Sequence, residues 1–146
     1  MSDQTLFIVA IDGSDCTARA AEFAAHETVL RNGHLLLVHV VDWSGFEVLP
    51  VGELEGQHGK KEKARKAAEQ DVVAPLLKRL NAEGLKVDTR IEFGDPVDRL
   101  LALVKSEGAR QLFVGRHAGS HRVERLMGSL PSDLARLCPV PVTIVP

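Results

Sequence analysis

Tyrosine is absent from this chain of 146 residues, tryptophan occurs once, at Trp43, and aromatic residues make up 4% of the total. Absorbance at 280 nm is therefore weak. Cysteine is scarce too: Cys16 and Cys138 form no C-x-x-C pair. Neither a disulfide framework nor a zinc site is indicated, and a reducing, cytoplasmic compartment is expected. No excess of basic charge exists, since the formal net charge is −2, and nucleic-acid binders usually carry a strongly basic balance. Long apolar runs are missing as well. The stretch from Leu6 to Ile11, bracketed by Asp3 and Asp12, falls far short of the roughly 20 residues that a membrane helix needs. A soluble protein with no membrane or nucleic-acid partner is expected. The G-x-S-x-G elbow, H-E-x-x-H and G-x-x-x-x-G-K-[ST] are all lacking, so nothing in the motifs supports catalysis, and no metal-ligand set is evident.

What is present is an alternation of strand and helix patterns, the signature of parallel β-α-β units in one α/β domain. A chain of this length buries about 68–70% of its unfolded surface as one domain. Residues 6–11 (LFIVAI) and 35–41 (LLLVHVV) read as central strands buried on both faces. Val87, Thr89, Ile91 and Phe93 alternate with polar residues, as at a sheet edge, while residues 112–114 and 140–145 complete five strands. Four helices are predicted between them. The first follows a cap at residues 14–17 and carries Ala20, Ala21, Ala24, Ala25 and Thr28 on one face. The second covers about residues 59–82, kinked or broken at Pro75. The third begins at Asp95-Pro96 and stops at Gly108, and the fourth covers about residues 131–137. Residues 43–58 read as a long loop.

Five parallel strands with the third at an edge imply the order 3-2-1-4-5, an open sheet with helices on both faces, Rossmann-like. Ligands of such sheets bind beyond the strand C-termini where the order reverses. Here those ends are Asp12-Gly13-Ser14 and the stretch from Gly115 to Ser129, rich in glycine and hydroxyls. Glycines let a backbone turn sharply and approach a ligand, consecutive N–H groups form an anion cradle, and a helix starting near Ser129 adds donors. Arg116, Arg122 and Arg125 make the stretch locally basic. His39 is expected to be a hydrogen-bonded core residue, Ser14 a helix cap, and Cys16 a buried small apolar residue. The run KKEKARK at residues 60–66 reads as a solvated helix face.

The segments VAIDGSD, LLLVHVVD, FGDP and MGS…CPVPVTIV occur in register with the universal stress proteins, and the chain resembles that family over essentially its whole length. The family's nucleotide-binding branch carries G-x-x-G-x9-G-[ST] after the fourth strand, which falls on Gly115, Ala118, Gly128 and Ser129. Ala118 replaces one glycine, with Gly119 directly after it, and Pro131 removes one N–H from the helix start. The resemblance implies an adenine nucleotide, ATP with or without Mg. Asp12 would lie on its ribose and adenine side, the Val40 backbone on the adenine edge, and Gly115, Gly128 and Ser129 around the phosphates. Ala10, Arg116, Ala118, Gly119 and Leu130 complete the implied site. It further implies a stress-response sensor with regulatory partners, at most a slow ATPase, and a homodimer formed through the last strand. The alternative within the same fold is a nucleotide-free interaction module, for which Ala118 speaks.

Overall fold

The computed structural model describes residues 4–43, 51–80, 84–117 and 129–146. Strands β1 (Leu6–Ile11), β2 (His34–Asp42), β3 (Val87–Gly94), β4 (Gln111–Gly115) and β5 (Val142–Val145) form one parallel sheet in the order β3-β2-β1-β4-β5. The expected topology is thus the observed one, with β3 and β5 at the edges. Central β1 is buried from Phe7 onward, because both of its faces are covered by helices.

Helices α1 (Asp15–Leu30), α2 (Val51–Ala68) and α3 (Ala74–Arg79) lie on one face, and α4 (Pro96–Glu107) and α5 (Leu130–Leu137) on the other. Ala20, Ala21 and Ala24 of α1 are fully buried against Phe7, Val9 and Phe113. Their small side chains let the helix backbone lie close to the sheet. On the opposite face Ile8, Val38, Leu112 and Val114 meet Leu100, Leu103, Val104 and Leu134. Asp95 caps α4 by accepting from the Asp98 N–H at 3.0 Å, and Gly108 ends it in the left-handed region at φ 66°.

Pro75 acts differently from the kink or break that its chemistry predicts. Proline lacks the amide hydrogen and its ring collides with the carbonyl four residues back, here that of Asp71. The helix absorbs the misfit in a π turn over Glu69–Val73 and runs on directly into α3. A second difference lies in residues 43–58, read from the sequence as a loop: α2 already begins at Val51. Gly52, Gly56 and Gly59 hide it, since each glycine lowers helix propensity by about 1 kcal/mol relative to alanine and blurs the apolar period. Strand β5 starts at Val142, two residues after the predicted start, because Pro141 has no N–H to give the ladder; its carbonyl still accepts from the Leu112 N–H at 3.0 Å.

The turn into β2 is tight. A Cβ at Gly33 would sit 2.7 Å from the Thr5 carbonyl oxygen and 2.8 Å from the Phe7 ring. Gly33→Ala is expected to lower stability by about 1–3 kcal/mol through overpacking against backbone that cannot yield. Urea unfolding measures it, and a midpoint equal to the parent's would contradict the packing described.

Candidate functional site

Ile11 is level with His39 across β1 and β2, and Val9 is level with Phe113 across β1 and β4. Following both registers forward, Asp12, Val40 and Gly115-Arg116 come to the same C-terminal rim of the sheet. Ser129 joins them from above. Because β5 runs parallel to β4, α5 must travel back from this rim to the other, so its N-terminus starts here. Two segments a hundred residues apart in the chain therefore meet where the strand order reverses, as the topology requires.

Asp12 is held by its surroundings. Its Oδ1 accepts from the Ser14 N–H at 2.8 Å and from the Thr17 hydroxyl at 2.8 Å, while its own N–H donates to Thr17 Oγ1 at 3.1 Å. Ser14 is the N-cap of α1, as expected, and accepts from the Thr17 N–H at 3.3 Å. The carboxylate thus holds the strand-to-helix turn together, whatever else it does. Thr17 escaped the sequence reading as a functional residue; the S-x-x-T cap pattern was its only trace.

The expected site residues sort into three groups. Ala10, Val40 and Leu130 belong to one apolar cluster on the α4–α5 face, where Ala10 is buried and the other two are partly buried. They bring apolar side chains to the rim. Ser129 caps α5 by accepting from the Ser132 N–H at 3.4 Å, and its carbonyl takes the Asp133 N–H at 3.0 Å. Since Pro131 has none, Leu130 carries the first-turn N–H that the cap does not use, facing the positive end of the helix dipole. Gly115 and Arg116 lie at the end of β4, the Arg116 N–H donating to the Val145 carbonyl at 2.7 Å and its side chain exposed. Ala118, Gly119 and Gly128 lie outside the described residues.

Gly115 has a packing reason to be glycine. A Cβ there would stand 2.8 Å from Cys16 Sγ and 3.1 Å from the Cys16 carbonyl oxygen, so the first turn of α1 lies directly on β4. Cys16 is buried, as expected, and its sulfur accepts from the His117 N–H at 3.4 Å. His39 is hydrogen-bonded as the sequence implied, Nδ1 standing 2.9 Å from the Ile11 carbonyl oxygen, in a half-buried position.

Other residues around the rim were not foreseen. Lys61 and Arg65, read from the sequence as part of a solvated face, turn inward: Nζ of Lys61 is 4.9 Å and Cζ of Arg65 is 5.1 Å from the centre of the Phe93 ring. Trp43 meets that ring edge-on at 5.5 Å. Lys60, Lys63 and Lys66 are exposed, as the sequence implied. On the far side of the Asp12 turn, Val72 of the π turn lies 3.4 Å from where a Gly13 Cβ would be, and Gly13 has φ 87°. A groove of about 110 Å³ opens there, floored by Val72 and Leu76 and edged by Asp15, Asp71 and Arg79. Arg79 also pairs with Glu22, tying α3 to α1.

Among the described residues, a fixed carboxylate, apolar side chains, a helix-start N–H and an exposed arginine come to the reversal of strand order, groups that fit an adenine nucleotide in chemical kind. The profile of the universal stress protein family matches residues 7–146. Universal stress protein Rv3134c of Mycobacterium tuberculosis is 34% identical over 137 residues, covering 92% of this chain and 47% of that protein. The chain thus spans about half the length of this relative. Universal stress protein YxiE of Bacillus subtilis is 27% identical over 146 residues, covering 94% of this chain and 96% of its own. A universal stress protein solved in complex with cAMP is 26% identical, with 99% of this chain and 98% of that chain covered and a TM-score of 0.63.

Replacing Gly115 by alanine is expected to destabilise the chain by about 1–3 kcal/mol. Adding Cys16→Ala should then restore part of the loss, because the sulfur is the nearest atom to the new methyl. Thermal melting of the single and double variants reads this; equal loss in both would contradict the contact.

Proposed function

Because this chain belongs to the universal stress protein family, we propose that it binds an adenine nucleotide, ATP, at the rim between β1 and β4 and serves as a stress-response sensor. The observation that carries the reading is the convergence of Asp12, Val40, Gly115 and Ser129 at the reversal of strand order. In this reading the Asp12 carboxylate takes the ribose and adenine side, and the Val40 backbone takes the adenine edge. Ala10 and Leu130 supply apolar side chains. Gly115, Arg116 and Ser129, with Ala118, Gly119 and Gly128, surround the phosphates and any accompanying Mg. The cAMP carried by a solved relative supports the ligand class. Occupancy biases the conformation of the rim and hence which regulatory proteins dock there, in the cytoplasm.

The same reading includes a homodimer through β5. Among the described residues that strand is a sheet edge with one side of its ladder unpaired, and Ile144 on it and Leu137 on neighbouring α5 are exposed apolar residues. Antiparallel pairing with a second copy covers both. Light scattering at micromolar concentration should return twice the chain mass, and a monomer would contradict this arrangement.

A nucleotide-free interaction module is the second reading. It draws on two observations: Asp12 already serves the turn into α1, and packing against Cys16 accounts for Gly115. Titration separates the two. Trp43 stands just beyond the end of β2, so its fluorescence should change as ATP is added, and Asp12→Ala and Gly128→Val should each weaken ATP binding by about tenfold or more while the circular dichroism spectrum stays unchanged. Parental affinity in both variants would remove the site.

A further inference from the structure

We infer that Thr17 is a positioning residue that sets the direction of the Asp12 carboxylate at the rim; its consequence for binding rests on the nucleotide reading above. Thr17 is 1% exposed, one of two buried polar residues among those described, and sits in the first turn of α1. Its hydroxyl closes a ring with Asp12 and also meets Ser14 at longer range. Oγ1 accepts the Asp12 N–H at 3.1 Å and lies 2.8 Å from Asp12 Oδ1.

A threonine hydroxyl has one hydrogen to give. Two acceptors compete for it, Asp12 Oδ1 at 2.8 Å and the Ser14 carbonyl at 3.2 Å. The shorter bond goes to the charged oxygen, where hydrogen bonds are stronger. The hydroxyl does not serve the Thr17 N–H, which donates to Ser14 Oγ at 3.3 Å, although the Ser14 hydroxyl in turn donates to Thr17 Oγ1 at the longer distance of 3.4 Å. Packing alone would be met by valine, which has the same shape. What valine lacks is the grip on Asp12, made by the two shortest bonds of the hydroxyl, and its longer contacts with Ser14.

That grip matters because Asp12 follows the last residue of β1, where the ladder no longer orders the chain. Ser14 N–H and Thr17 Oγ1–H together fix one carboxylate oxygen from two directions. The side chain is then ordered before any ligand arrives, and binding need not supply that ordering. Thr17 touches no ligand in this account; it acts through Asp12.

The test combines Thr17→Val, Thr17→Ser and Asp12→Ala. With ATP as the probe, Thr17→Val should weaken binding about tenfold, and Thr17→Ser, which keeps the hydroxyl, should stay within about twofold of the parent. On the Asp12→Ala background Thr17→Val should change affinity by less than about twofold, the non-additivity expected when one residue works through the other. Should the valine variant fail to fold, Thr17→Ala takes its place in both measurements. Parental affinity in Thr17→Val overturns the inference, as does an equal loss with and without Asp12. A readout without ligand separates this claim from the nucleotide reading: three-bond couplings report the Asp12 χ1 rotamer in the free protein. A single rotamer in the parent that becomes averaged in Thr17→Val supports positioning even if the parent binds no ATP, whereas a rotamer that survives the substitution overturns it.

Discussion

Strand β1 hydrogen-bonds β2 on one side and β4 on the other, all three parallel, and the architecture of the rim depends on that placement. Right-handed crossovers leave β1 and β4 in opposite lateral directions, so α1 and α5 settle on opposite faces of the sheet. In open sheets of this order the crevice that takes ligands lies between two such N-terminal ends. Both helix starts then point partial positive charge into one place, one beside Asp12 and one at Ser129-Leu130. No special residue creates this geometry; strand order alone does.

The side chains convert the crevice into a rigid platform. Asp12, Ser14 and Thr17 knot the exit of β1 to the first turn of α1. Gly115 lets that same turn press on β4 through Cys16, whose sulfur in turn receives the His117 N–H. The exits of β1 and β4 are thereby braced against each other through α1. Beneath the turn, the π segment made necessary by Pro75 brings Val72 against Gly13. Across the sheet, the Phe93 ring carries Lys61 and Arg65 on one helix and Trp43 on its edge, pinning α2 to the ends of β2 and β3.

Topology and helix caps were legible in the sequence because they are written locally: continuous apolar runs for β1 and β2, alternation for edge strand β3, and Asp95, Pro96 and Gly108 around α4. The convergence of Asp12 with Gly115 followed from topology rather than from any contact signal. The first half of α2 was hidden by its glycines, and the π turn by the fact that proline only announces a misfit, not how a helix absorbs it. Thr17, Lys61, Arg65 and Val72 were illegible for a common reason. Each acts through a neighbour distant in sequence or across a turn, and single-residue pattern carries no record of such pairs. Gly115 shows the converse: its packing against Cys16 is a use of glycine that the sequence pattern, read as a turn beside a ligand, did not announce.

The central claim is that one rim, built by β1, β2, β4 and the start of α5, receives an adenine nucleotide. Amide chemical-shift mapping of the isotopically labelled chain during ATP titration tests it most directly. The account predicts that the amides of Asp12, Val40, Gly115, Arg116 and Leu130 shift together along one saturable curve. An unchanged spectrum at millimolar ATP, or shifts confined to the opposite rim of the sheet, would contradict it.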